Sequence, residues 1–149
     1  LIAFVATVAL LNHLTASLLH LIGIDQPQPL QWLLGWLQAP FAWLMGIPAT
    51  DCLAAGAILG ERIVLNEFVG YLSLSQQASQ LQPRTLLILT YGLCGFANFS
   101  SIAIQIGGIS VLAPSRRGDL AQLGLRAMIG GLLACYLTAS LAALLIPTP

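Results

Sequence analysis

The sequence has no lysine and little charge of either sign, since five arginines and five acidic residues make up 7% of its 149 residues. Nucleic-acid binding needs clustered basic side chains that neutralise phosphates, so nucleic-acid-binding proteins are excluded. Disordered chains are rich in charge and poor in apolar residues, whereas 58% of this chain is hydrophobic. The composition therefore predicts an integral membrane protein whose surroundings are the lipid bilayer.

Motifs for metal binding and hydrolysis are also missing. Cys52, Cys94 and Cys135 lie in separate apolar runs, without CxxC spacing or a histidine at ligand spacing. We therefore expect buried thiols, no metal site and no cofactor. Neither GxSxG nor HExxH occurs, so an enzyme is not expected. His13 and His20 share a helix face, which fits packing more often than a proton relay.

The lengths of the apolar runs predict where helices cross the membrane. About 20 apolar residues cross roughly 30 Å of hydrocarbon, and residues 1–25 and 119–147 meet that length. The first run begins with Leu and has no signal-peptide features, so we expect the carboxyl-terminal part of a longer protein. Arg116, Arg117 and Arg126 place the turn before the last helix in the cytoplasm, and hence the carboxyl terminus outside.

Residues 29–47 hold all three tryptophans. At about 100° per residue, Trp32, Trp36 and Trp43 fall within roughly 40° of one another on a helical wheel. This pattern predicts an interfacial helix that lies along the membrane surface and is kinked at Pro40. The alternative is an ordinary spanning helix with a Trp-rich end.

Residues 48–76 consist of two apolar arms that are each too short to span the membrane. Between or beside the arms stand Glu61, Arg62, Asn66 and Glu67. Because a charge near mid-bilayer costs about 2.5 to 3.5 kcal/mol on insertion scales, we expect a re-entrant helical hairpin with an irregular tip at residues 60–66. Gly56 and Gly60 would let the two arms approach closely.

Residues 84–113 form a run without a charge beyond Arg84, but a polar stretch interrupts it near the centre. The pattern predicts a broken transmembrane helix with halves at about 85–94 and 101–112. Gly95 would supply the backbone freedom at the break, and Asn98 or Ser100 would cap the second half.

Three polar side chains in these segments are candidates for ligand binding. An intramembrane carboxylate such as Glu67 is functional by default, although an ion pair with Arg62 or Arg84 is the structural alternative. Asn98 and Ser101 share a helix face, although capping alone would also explain an amide there. A carboxylate, an amide and a hydroxyl together suit a ligand rich in hydroxyl donors, such as a sugar or polyol.

Four blocks of the sequence closely resemble the carboxyl-terminal signature segments of the concentrative nucleoside transporters of bacterial type. The blocks are PFAWLMGIP, GERIVLNEFVGYLSL, TYGLCGFANFSSIAIQIGG and LAPSRRGDLAQLGLRAMIGG, and they follow the family's order. The resemblance implies a homotrimeric transporter with inverted repeats and re-entrant hairpins that moves nucleosides inward with a sodium or proton gradient.

The resemblance also implies residue roles. Glu67 of NEFV and Asn98 and Ser101 of GFANFSS would hydrogen-bond the ribose, and Phe96 would line the site. The base and the coupling ion would be held mainly by a first hairpin outside these residues. Arg62 stands where the family commonly has Lys.

These segments predict an all-α integral membrane fold with spanning helices, a re-entrant hairpin and a broken helix, and the resemblance implies that they form half of an inverted-repeat transporter. The function that the resemblance implies is sodium- or proton-coupled symport of nucleosides across the cell inner (plasma) membrane, and this chain would supply the ribose-binding half of the site. The alternative is a non-transporting membrane scaffold or subunit, in which the hairpin and the broken helix only serve packing.

Overall fold

The structure, a computed structural model, describes residues 2–24 and 29–145. Within those residues it contains seven α-helices and one short 3-10 turn and has no strand, which confirms the all-α fold. The helices are α1 (Ile2–Leu21), α2 (Pro29–Leu44), α3 (Cys52–Val64), α4 (Glu67–Gln77), α5 (Pro83–Leu93), α6 (Phe99–Leu112) and α7 (Arg117–Leu145).

The last helix has the length that a membrane span needs. In the described part of the chain, Pro114–Leu145 is the one helical run that is long and apolar enough to cross a bilayer. It includes the 3-10 turn Pro114–Arg116, so the basic turn expected before the last helix is itself helical. Arg116 Nε donates to Asp119 Oδ2 at 2.5 Å in this first turn. The expected end at residue 147 lies outside the described residues.

α3 and α4 form the hairpin that the sequence predicts, but its tip is shorter than expected. α3 continues through Gly60 to Val64, so Leu65 and Asn66 alone separate the two helices. Asn66 caps α4, because its Oδ1 accepts the Val69 amide hydrogen at 3.0 Å. The prediction of an irregular tip over residues 60–66 is therefore wrong for its first five residues, which the helix absorbs without a break.

Gly56 and Gly60 do not lie between the two hairpin arms, so the prediction that they let the arms approach closely is wrong. They face α2, where a Cβ on Gly56 would lie 2.4 Å from the Gly35 carbonyl oxygen. A Cβ on Gly60 would lie 2.4 Å from the Leu34 Cβ. The two glycines thus let α2 and α3 pack at backbone contact. The glycine that does lie between the arms is Gly70, where an added Cβ would stand 3.4 Å from the Arg62 Cβ.

The core lies between α2, α3, α5 and α7. Its most deeply buried members are Ala42, Ala55, Ile58, Leu59, Ile88, Leu89, Leu93 and Ala139. On the outer side of α2, Trp36 and Trp43 are exposed, and Trp32 meets Trp36 edge-on with 6.5 Å between ring centroids. Pro40 lies inside α2. An exposed tryptophan face suits a membrane-water interface, and the interfacial placement of α2 stays a prediction.

Polar contacts hold the base of the hairpin against the start of α5. Asp51 is buried, and its Oδ2 accepts the Thr85 hydroxyl at 2.7 Å and the Gln82 amide at 2.9 Å. Arg84 donates to the Gly46 carbonyl at 3.3 Å and to the Ala143 carbonyl at 3.0 Å. A guanidinium near these carbonyls complements the carboxyl-terminal ends of α2 and α7.

Candidate functional site

The predicted broken helix is present, with α5 ending at Leu93 and α6 beginning at Phe99. Residues 94–98, called the break below, are not helical. Asn98 caps α6 through its Oδ1, which accepts the Ser101 amide hydrogen at 2.8 Å. The same oxygen accepts the Ser101 hydroxyl at 2.8 Å and the Ser100 hydroxyl at 2.7 Å. Three donors therefore fix the orientation of one amide group.

Glu67 is the first residue of α4, directly after the hairpin tip. The first turn of a helix carries free backbone amides and the positive end of the helix dipole. Glu67 is half-buried, and its Oε2 accepts a hydrogen bond from Asn98 Nδ2 at 3.1 Å. The hairpin tip and the break thus meet through these two side chains.

A second contact joins the same two segments. Ser100 Oγ lies 3.2 Å from the Leu65 carbonyl oxygen at the hairpin tip and 2.7 Å from Asn98 Oδ1, so its single hydroxyl hydrogen is shared between these two acceptors. Ser100 and Asn98 are both buried. Two contacts therefore join the amino-terminal end of α6 to the hairpin tip: Asn98 with the Glu67 side chain, and Ser100 with the Leu65 carbonyl.

A cavity of about 450 Å³ opens beside the break, between α6 and α7. Asn98 and Ser101 form part of its polar wall together with Gln105, and Phe96 lies at its edge with 73% of its surface exposed. The volume is in the range of small-molecule sites. Glu67 does not line this cavity itself and reaches its wall through Asn98. The structure therefore brings Glu67, Asn98 and Ser101 together, with Phe96 nearby.

The capping interpretation of Asn98 is confirmed, and the role of Asn98 and Ser101 in ligand binding stays a prediction. Asn98 caps α6 with its oxygen, while its amino group points to Glu67. The ion pair proposed as an alternative for Glu67 does not form with Arg62, whose Nη2 donates to the Gly95 carbonyl at 3.2 Å. Within the described residues, the Arg62 Nε and Nη1 atoms have no hydrogen-bond partner.

Sequence reasoning missed how Ser100 and Asp51 are used. Ser100 is expected there only as a possible cap, and its bond to the Leu65 carbonyl depends on the hairpin tip packing against the break. Asp51 stands in an apolar arm and gives no signal of its own, yet it connects the hairpin base to α5. Its place directly before α3 would suggest a cap, but Asp51 makes no side-chain capping bond to that helix.

A helical hairpin whose tip meets a broken helix at a polar site is the architecture of secondary transporters. The comparisons with known proteins give the family. The family model described as "Na+ dependent nucleoside transporter C-terminus" matches residues 1–143. The chain therefore belongs to this family of membrane transport proteins.

Curated relatives match nearly all of the chain. An uncharacterized transporter, YutK, of Bacillus subtilis is 42% identical over 98% of this chain and 36% of its own length. The nucleoside permease NupC of Helicobacter pylori is 38% identical over 98% of this chain and 36% of its length. Sodium/nucleoside cotransporter 1 of Rattus norvegicus is 38% identical over 97% of this chain and 24% of its length. The chain thus spans about a third or less of these relatives.

Solved structures agree with the fold. A variant of CNTnw in an intermediate state superposes with a TM-score of 0.90 at 39% identity, covering 97% of this chain and 36% of that chain. CNTnw in an inward-facing, substrate-bound state gives a TM-score of 0.86 at 39% identity, over 96% of this chain and 35% of that chain. The hairpin and the broken helix therefore belong to a known transporter fold.

Proposed function

We propose that the protein carrying this chain is an ion-coupled nucleoside symporter, and that this chain holds the ribose. The observation that carries the proposal is the bond from Asn98 Nδ2 to Glu67 Oε2 at 3.1 Å, which places a carboxylate, an amide and the Ser101 hydroxyl at one point beside the cavity. The relatives whose names state a substrate are nucleoside permeases and sodium/nucleoside cotransporters.

The hydrogen-bonding capacity of this group suits a ribose. An ionised carboxylate accepts hydrogen bonds through two oxygens and donates none, so its natural partners are hydroxyl groups. Oε2 accepts one hydrogen from Asn98, and Oε1 takes part in no hydrogen bond among the described residues. The amide oxygen of Asn98 is already occupied by three donors, so its geometry is fixed before a ligand arrives. In this arrangement Glu67 accepts from ribose hydroxyls, and Asn98 donates its second amide hydrogen to a ribose oxygen. The Ser101 hydroxyl, whose hydrogen goes to Asn98, accepts from a ribose hydroxyl, and Phe96 covers an apolar side.

The charges and the exposed surfaces support a proposed placement in the membrane. Arg116 and Arg117 are exposed at the start of α7, which by the positive-inside rule puts this end in the cytoplasm and the carboxyl terminus outside. The hairpin is then re-entrant from outside, in the cell inner membrane. The apolar side chains exposed on α1 leave a surface for lipid or for the two other subunits of a homotrimer.

The test is uptake of labelled uridine into sealed vesicles that contain the whole protein. We expect uptake that requires a sodium or a proton gradient, and 2′-deoxyuridine should compete more weakly than uridine. Vesicles without the protein give the background. A folded protein that takes up no nucleoside under either gradient, and that does not distinguish ribose from deoxyribose in binding, would favour the scaffold alternative.

A further inference from the structure

Arg62 is the largest fully buried side chain of the described residues, with 0% of its surface exposed, and it lies near the end of α3. Its Nη2 donates to the Gly95 carbonyl at 3.2 Å and to the Cys135 sulfur at 3.1 Å. One guanidinium therefore contacts the break and α7, while its Cβ packs beside Gly70 of α4.

Stability alone does not account for a charge at this position. Nε and Nη1 of Arg62 are buried without a hydrogen-bond partner among the described residues, and Nη2 reaches two uncharged acceptors. A buried cation without a paired anion is unfavourable for folding. Replacing such a group with an apolar side chain of similar volume is often neutral or stabilising. The guanidinium is therefore better explained by what it holds in place.

The guanidinium lies at the carboxyl-terminal end of α5, where carbonyl groups lack helical partners. Three side chains serve these carbonyls: Tyr71 donates to Thr90 O at 2.8 Å, Cys135 to Cys94 O at 3.3 Å and Arg62 to Gly95 O. Of the three donors Arg62 alone carries a charge, which complements the negative end of the helix dipole.

Arg62 lies close to the side chains that are proposed to bind the ribose. It stands three residues before Leu65, whose carbonyl accepts the Ser100 hydroxyl, and it binds the carbonyl of Gly95, three residues before Asn98. The Asn98–Glu67 bond is thus one of three contacts that join the same two segments. Gly95 also leaves no room for a side chain, since a Cβ there would lie 2.7 Å from the Cys135 sulfur.

We propose that Arg62 is a positioning residue for the nucleoside site, whose charge holds the break against the hairpin tip so that Asn98 meets Glu67. The inference rests on the proposed function, because it takes Glu67 and Asn98 to hold the ribose. Arg62 has none of its surface exposed, so it acts through the backbone at Gly95 and makes no contact with the nucleoside.

The test uses the whole protein in detergent and compares Arg62→Met, Arg62→Lys and Arg62→Gln by uridine binding, 2′-deoxyuridine binding and thermal unfolding. We expect Arg62→Met to unfold at or above the wild-type temperature yet to bind uridine about tenfold more weakly. Its preference for ribose over deoxyribose should fall as well. Arg62→Lys, which keeps the charge, should recover most of the affinity, whereas Arg62→Gln, which keeps a donor without the charge, should not.

The matched control is Arg84→Met. Arg84 caps the ends of α2 and α7 away from the site, so its loss should lower the unfolding temperature and leave the ribose preference unchanged. Wild-type affinity in Arg62→Met overturns the inference. If Arg62→Met does not fold, the comparison of Arg62→Lys with Arg62→Gln tests the inference. Equal uridine affinity of these two variants overturns it.

The proposed function is tested separately in the same series by Glu67→Gln. Weaker uridine binding in Glu67→Gln together with unchanged binding in Arg62→Met removes only the role of Arg62. Unchanged binding in Glu67→Gln, while the wild type binds uridine, removes the ribose assignment on which that role depends.

Discussion

Replacing Glu67 with Gln is the sharpest perturbation of the proposed ribose site, because it keeps the shape and removes the charge. Asn98 Nδ2 donates to Glu67 Oε2 at 3.1 Å, so the amide oxygen of the new side chain should turn to Asn98. The amino group then faces the ribose, whose hydroxyls lose a charged acceptor. Hydrogen bonds to charged groups contribute about 1.5 to 3 kcal/mol and neutral ones about 0.5 to 1.5. The difference, about 1 to 2 kcal/mol for each hydroxyl, corresponds to roughly 5- to 30-fold in affinity.

The assay is the dissociation constant of uridine, 2′-deoxyuridine and 3′-deoxyuridine for the whole protein, measured by calorimetry. If Glu67 holds one of the hydroxyls, the substitution should weaken uridine more than the analogue that lacks that hydroxyl. Glu61→Gln is the control, because Glu61 accepts the Ser73 hydroxyl within the hairpin and stands outside the site. Equal losses for all three nucleosides, or wild-type affinity in Glu67→Gln, would refute the assignment of the ribose to this carboxylate.

Two further predictions concern the fold that carries the site. Gly56→Ala should lower stability by roughly 1 to 3 kcal/mol, because its Cβ would stand 2.4 Å from the Gly35 carbonyl oxygen and the two helices must separate. The control in thermal unfolding is Gly118→Ala, whose Cβ would have no atom within 4 Å. Equal unfolding temperatures of the two variants would contradict the packing of α2 against α3. Asp51→Asn should cost about 1 to 2 kcal/mol, since its Oδ2 loses the charge that the Thr85 hydroxyl approaches at 2.7 Å, and an unchanged unfolding temperature in the whole protein would contradict this.

The break and its cap could be predicted because they depend on local sequence. A polar run inside a long apolar segment cannot continue as an unbroken lipid-facing helix without cost, and an Asn at the start of the second apolar half is a capping signal. The structure places the break at residues 94–98 with Asn98 as the cap, close to the predicted halves. Glu67 was identifiable for a similar reason, since a carboxylate within an apolar run needs a partner, and the partner is Asn98.

The features that sequence reasoning placed wrongly depend on which helix faces which. A glycine pair permits close approach but does not say to what, and Gly56 and Gly60 face α2 instead of α4. The hairpin tip was expected to be irregular because Glu61 and Arg62 are charged. Both are accommodated within the helix, since Glu61 accepts the Ser73 hydroxyl from α4 and Arg62 reaches the Gly95 carbonyl. Because both charged side chains contact other segments of the fold, the backbone stays helical at these residues.

The bonds at both ends of the hairpin bear on how the site can change its access. At the tip, Asn98 and Ser100 bind Glu67 and the Leu65 carbonyl, and at the base Asp51 binds the start of α5. Swinging the hairpin away from the broken helix would break these bonds in an interior where each unpaired polar group costs about 1 to 3 kcal/mol. A movement of the hairpin and the broken helix together breaks none of them. Within the described residues, these bonds therefore favour a movement of the hairpin and the broken helix as one unit over a separate opening of the hairpin.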